Sequence, residues 1–195
     1  MPATCPFCGA VGKLTGEHVL GDWLSRIGLK LDPVALTTGP LNRIGRNIGV
    51  TPPFNRKVRD VCGPCNNGWM SRLEDVAKRV LTPLILGEPG NIAQAGQGRI
   101  AAWLEKTVLV AMLMSSEEER EGGYSLPAQE YRALYDRRAA MEPLPASQVG
   151  VETSAGLAQL WPVIQDIAWR HRQGAATGLH CPHRSRREGA VRRVR

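Results

Sequence analysis

Apolar residues at Trp69, Leu73, Val76 and Val80 follow the i, i+4, i+7, i+11 spacing of one helical face. A helix is therefore expected from about Asn67 to about Leu81, with Pro83 just past its end. A second helix, Arg99 to Met114, is apolar around most of its circumference and reads as buried core. A third opens at Ser125-Leu126-Pro127, with Ser125 able to cap it and Pro127 tolerated in its first turn. Tyr131, Leu134 and Tyr135 mark its buried side, and Pro143 and Pro145 stop it. Leu157 to Arg170 is helical in pattern but broken by Pro162. Strand patterns are shorter: Arg56 to Val61 (RKVRDV) is a basic strand candidate, and residues 147–153 read as an edge strand. Glu17-His18-Val19-Leu20, then Trp23-Leu24 and Ile27, suggest a strand end or turn leading into a short helix.

Between these elements the pattern lapses. Residues 32–55 are rich in Gly, Pro, Asn and Thr and read as a long loop or irregular insert, a length that is usually functional or disordered. Ser115 to Gly123 (SSEEEREGG) is a charged exposed turn whose acidic run is most simply solvated surface. A composition shift after Gly87-Glu88-Pro89-Gly90-Asn91 marks a boundary. The expected organisation is an N-terminal domain over 1–86, a mainly helical region over 87–172, and a basic tail over 173–195. The tail has no period and few apolar residues from Gly174 on, as in disordered segments. There are no internal repeats.

Composition narrows the class. A chain of 195 residues with 43% hydrophobic content can build one domain or two small ones with a real core. The longest apolar candidate, Ile100 to Met114, is interrupted by Glu105 and Lys106, so no membrane span is expected. No basic and apolar leader opens the chain. Four of the five cysteines lie in Cys-x-x-Cys pairs, which fits metal-bound thiolates in a reducing compartment, and a cytoplasmic location is expected. The net charge of +7 divides into +5 over residues 1–82, −5 over 83–169 and +7 over 170–195. The cysteine-bearing part and the tail are thus both cationic, as surfaces facing phosphate are, although for charge alone a solvated basic face with an unstructured tail is the better reading.

The chemistry begins with those pairs. Cys5 and Cys8 in TCPFCG, and Cys62 and Cys65 in VCGPCNNGW, make a four-thiolate tetrahedral set for a structural Zn²⁺. Their separation is longer than in a simple zinc ribbon and must hold an insert. Glu17-His18 is the chain's acid–histidine dipeptide, and closing the cysteines around one ion brings it towards Asn66 at the helix start. A carboxylate and an amide oxygen suit a hard cation such as Mg²⁺ or Mn²⁺, and a neutral imidazole can take a proton from water. A lone histidine is more often a core or surface residue; the position of His18 relative to both pairs reverses those odds.

Cys-x-x-Cys, Glu-His-Val and then Val-Cys-x-x-Cys-Asn with a helix behind resemble the HNH endonucleases, the ββα-metal nucleases in their zinc-stabilised form, over residues 3–82. The continuation CNNGWMSRLED is similar to an HNH subgroup from actinobacteria and their phages. The resemblance implies an α+β fold, with a zinc-knit ββα-metal domain ahead of the helical region. It implies His18 as general base, Glu17 and Asn66 as ligands of the catalytic divalent metal, and DNA as substrate. Two places depart from the family pattern. Gly21 stands where many members carry Pro, and Lys57 stands where the middle Asn usually lies, with Asn55 two residues away. Asn67 competes with Asn66 for the metal, and Asn66 is preferred because it directly follows the cysteine.

The remaining candidates are simpler. Lys57 and Arg59 are expected phosphate contacts, which position nucleic acid without reading its sequence. Trp23 and Trp69 could stack on bases, but each sits on an apolar face and is expected in the core. Cys181 and His183 in HCPH lack nameable co-ligands, and a stray tail cysteine is the simpler reading. The leading expectation is a metal-dependent DNA endonuclease. Its rivals are a zinc-knit module that holds nucleic acid without cutting, favoured by Lys57, and a protein-interaction adaptor using the acidic middle region.

Overall fold

A computed structural model describes residues 3–29, 32–39, 44–52, 54–121 and 125–145. The expected strand at 147–153, the interrupted helix at 157–170 and the tail with Cys181 and His183 lie outside the described residues. What is described is a mixed α+β arrangement of two small antiparallel sheets and a set of helices.

Strand β1 (Leu14–His18) pairs with β4 (Lys57–Cys62), and β2 (Val34–Thr38) pairs with β3 (Arg46–Thr51). The β2–β3 hairpin occupies the stretch expected to be a loop. Its alternation was hidden because little of it is buried: Val34 and Val50 are exposed, and Thr38 is its one buried position. In the β1–β4 pair, Thr15 faces Val61 and Glu17 faces Val58, so β4 carries one extra residue between them. Such a bulge re-aims the strand beside it. Here the one buried residue of β1 is a carboxylate, Glu17.

A wide helical turn, Cys65–Met70, follows β4 and runs on into α1 (Ser71–Ile85), departing from helical angles at Gly68. The helix thus starts at the cysteine itself, earlier than the apolar spacing placed it. It also runs past Pro83, and its stop is Gly87, whose φ of +84° lets its N–H turn back to Leu84 O. Helix α2 (Gln94–Met112) begins five residues ahead of Arg99 and is buried on nearly every side from Ala102 to Val110. The acidic run forms a short helix, α3 (Glu117–Glu121), closed by a capping box: Ser116 N donates to Glu119 Oε2, and Glu119 N donates to Ser116 Oγ. Helix α4 (Ala128–Asp136) is preceded by Pro127 at its cap position, and Ser125 makes no side-chain cap.

One hydrophobic cluster unites these parts, and it is continuous across the boundary expected at residue 87. Phe7 of the first cysteine loop meets Trp69 and Tyr131 edge-on, at 5.7 and 5.2 Å between ring centres, and Trp69 meets Tyr135 at 6.4 Å. Trp23 lies 6.1 Å from Trp103 of α2. Both tryptophans are buried, as their apolar faces implied.

Candidate metal centre and cleft

β1 follows the first cysteine loop and β4 leads into the second, so their pairing draws Cys5, Cys8, Cys62 and Cys65 together. The four Sγ atoms lie within 4.8 Å of one another, and those of Cys8 and Cys62 are 3.4 Å apart. A disulfide would need about 2 Å; tetrahedral zinc with Zn–S near 2.3 Å needs sulfurs roughly 3.8 Å apart. The donor set and its spacing fit a metal ion such as zinc. Burial pushes the Cys62 and Cys65 thiols up, so bare thiolates are disfavoured there and a cation is what would stabilise them. Trp69 Nε1, buried without a hydrogen-bond partner, stands near Cys65 and favours its ionised form.

The same pairing opens a cleft of about 240 Å³ between the end of β1, the helical turn Asp22–Arg26 and the start of α1. Glu17, His18, Asn66 and Asn67 all line it, together with Asp22, Ser71, Glu74, Asp75 and Lys78. Asn66 is fixed by its amide nitrogen, which donates to Thr15 Oγ1 and Gly16 O at 3.0 Å each. Thr15 Oγ1 in turn donates to Val61 O, so the helix start is tied to both strands. This leaves the Asn66 oxygen without a hydrogen bond among the described residues, on a side chain that lines the cleft. Asn67 is exposed.

His18 Nε2, at the end of β1, lies 3.4 Å from Asp22 Oδ1, four residues onward at the start of the next helical turn, and Asp22 is itself paired with Arg26. Burial lowers the imidazole's proton affinity and Lys57 adds to this, against Asp22, so the neutral ring is favoured. Lys57 is the cross-strand partner of His18, and both Lys57 and Arg59 are exposed. Lys57 thus stands directly across from the base candidate. Asn55 precedes the strand and is exposed.

Glu17 has an unexpected partner. The fully buried ammonium of Lys106, on α2, lies 3.2 Å from Glu17 Oε1 and also pairs with Glu74 Oε1. Glu74 Oε2 accepts from Trp23 Nε1 at 2.6 Å. A Cβ at position 21 would overlap both Glu74 Oε2 and Trp23 Nε1, so this arrangement requires glycine there. Burial raises the Glu17 carboxyl against the pull of Lys106, whereas the two carboxylates outweigh burial at Lys106 and hold it charged. Glu17 Oε2 has no partner among the described residues and is not among the sealed, unpaired atoms. Glu17 and Asn66 are thus two oxygen-bearing side chains lining the same cleft. Among the described residues the four cysteines are the one group of three or more His, Cys, Asp or Glu side chains spaced to hold an ion.

Asp22, Glu74 and Lys106 were not singled out from the sequence. Asp22 could have been found by its i, i+4 relation to His18. Lys106 had a signal too: with Glu105 it interrupts the apolar run from Ile100 to Met114.

Family models, curated proteins and solved structures were each compared with the chain, and none matches it. Among the described residues no helix is long and apolar enough to cross a membrane.

Proposed function

We propose that this chain is a metal-dependent DNA endonuclease of the HNH type, hydrolysing phosphodiester bonds at the cleft. The observation that carries the reading is the convergence of Glu17, His18 and Asn66 on one cleft beside a four-cysteine set. His18, neutral and steadied by Asp22, takes the proton of an attacking water. Glu17 Oε2 and the Asn66 oxygen hold the divalent cation, Mg²⁺ or Mn²⁺, and exposed Lys57 and Arg59 contact flanking phosphates. When bound, that ion supplies charge stabilisation to the phosphate and the leaving oxygen. The structural metal of the cysteine set is zinc, and the protein acts where DNA is, in the cytoplasm.

The experiment is plasmid cleavage. Purified protein should nick or linearise supercoiled plasmid with Mg²⁺ or Mn²⁺. His18→Ala should lower the rate by about 10²–10⁴-fold while DNA binding persists, because the phosphate contacts are untouched. Equal cutting by both proteins would assign the activity to a contaminant. One observation favours a second reading, a nucleic-acid-binding module that does not cut: Lys57 faces His18 across the strands, where it depresses the imidazole. Salt-sensitive DNA binding with no cleavage under any divalent ion would select that reading.

A further inference from the structure

Helix α2 belongs to the helical region to which the sequence assigned no role, yet it delivers a fully buried ammonium to the site's carboxylates. Lys106 Nζ meets Glu17 Oε1 and Glu74 Oε1, and both glutamates line the cleft. One ammonium between two carboxylates leaves a net charge of −1. As a device for stability alone this is poor: burying Lys106 and Glu17 costs desolvation that their attraction must first offset, and apolar replacements of buried ion pairs are often as stable. The surroundings would accept an apolar residue, since Trp103, Leu109 and Val110 of the same helix are buried with it. The arrangement does something specific to Glu17. It holds Oε1 on the ammonium and leaves Oε2 without a hydrogen bond among the described residues, on a side chain that lines the cleft.

We infer that Lys106 is the positioning residue of this site, fixing Glu17 so that it offers one oxygen to the cleft, with Glu74 as the anchor that holds Lys106 in place. The inference rests on the proposal that Glu17 binds the divalent cation. Glu74 is in turn anchored by Trp23 at 2.6 Å, so the chain of contacts runs Trp23, Glu74, Lys106, Glu17 and ends at the cleft. The other charged groups lining the cleft are His18, Asp22, Arg26, Asp75 and Lys78, and none of them is hydrogen-bonded to Glu17. Lys106 therefore also sets the local charge that an entering cation meets. Without it, Glu17 and Glu74 form an uncompensated pair with both Glu17 oxygens free.

The consequence is a split between metal binding and turnover. In Lys106→Met, Mn²⁺ measured by calorimetry should bind about tenfold tighter or more, because a neighbouring positive charge is gone. Plasmid cleavage at saturating Mn²⁺ should nevertheless fall by about tenfold or more, because a misplaced carboxylate misplaces the reacting geometry. A merely structural lysine predicts both quantities falling together, and that result would overturn the inference. Glu74→Gln tests the same idea where Lys106→Met fails to fold. It leaves the ammonium with Glu17 as its one charged partner, so Mn²⁺ should bind about tenfold more weakly; unchanged affinity would overturn the inference. The nuclease proposal fails separately, when wild-type protein binds Mn²⁺, both variants shift its affinity as stated, and no form of DNA is cut.

Discussion

Glu105 and Lys106 are adjacent on α2, both buried, and they have opposite fates. Lys106 finds two carboxylates and stays charged. Glu105 accepts one hydrogen bond, from Leu144 N at 2.8 Å, and its Oε1 is sealed without a partner. Burial pushes its carboxyl up to about 7, and Glu130 nearby adds to the rise. The folded state thus holds a proton that the unfolded state releases at about 4.5. Stability should therefore fall as pH rises from about 4.5 to 7, and the loss should be complete above that window. A shift of this size corresponds to about 3 kcal/mol. Glu105→Gln mimics the protonated form and should be more stable than wild type at pH 8 by about 2–3 kcal/mol, with the two converging near pH 4. Urea unfolding at several pH values checks this; a constant difference across the range would exclude titration of Glu105 as the cause.

At the scale of elements, what was legible in the sequence was local. The two Cys-x-x-Cys pairs are metal-ligand spacings within single turns, and Glu17, His18 and Asn66 fall beside them in sequence, so proximity followed from closing the cysteines. The apolar faces of α1, α2 and α4 were legible for the same reason, as short-range periodicity. The β2–β3 hairpin was not, because a ribbon with almost nothing to bury shows no alternation. Nor was the Glu17–Lys106 pair, whose members are 89 positions apart and meet through packing alone. The cysteine set carries the element-scale prediction. One zinc per chain should be found by elemental analysis, and Cys62→Ser should lose it together with the β1–β4 pairing, seen as loss of the folded circular dichroism signal. Structural zinc contributes about 10–16 kcal/mol of binding free energy in small zinc-finger peptides, comparable to a domain's whole stability. Well-folded protein without zinc would remove the basis for reading the cysteines as a metal set.

For the molecule as a whole, the decisive feature is that the cleft and the core draw on both sides of residue 87. Phe7 and Trp69 are covered by Tyr131 and Tyr135 of α4, and Arg132 of α4 donates to Cys8 O at 2.7 Å, gripping the first cysteine loop. Trp23 packs on Trp103, and the carboxylates of Glu17 and Glu74 receive their cation from α2. A fragment ending at residue 90 keeps the four clustered cysteines with Glu17, His18 and Asn66 but would expose Phe7, Trp69 and Leu73 and leave two carboxylates facing each other. Burying one large apolar side chain is worth about 1.5–3 kcal/mol, so uncovering several together matches the 5–15 kcal/mol that holds a typical domain. The fragment should therefore be unfolded or aggregated even with zinc supplied, whereas residues 1–145 should fold and melt cooperatively. Adding Glu17→Gln and Glu74→Gln to the fragment separates the two causes. If the doubly substituted fragment folds, the missing ammonium was the main loss; if it remains unfolded, the aromatic cover from α2 and α4 was. A wild-type fragment 1–90 that binds zinc and gives a dispersed amide spectrum would show that the motif folds alone and that the later helices are an addition to it.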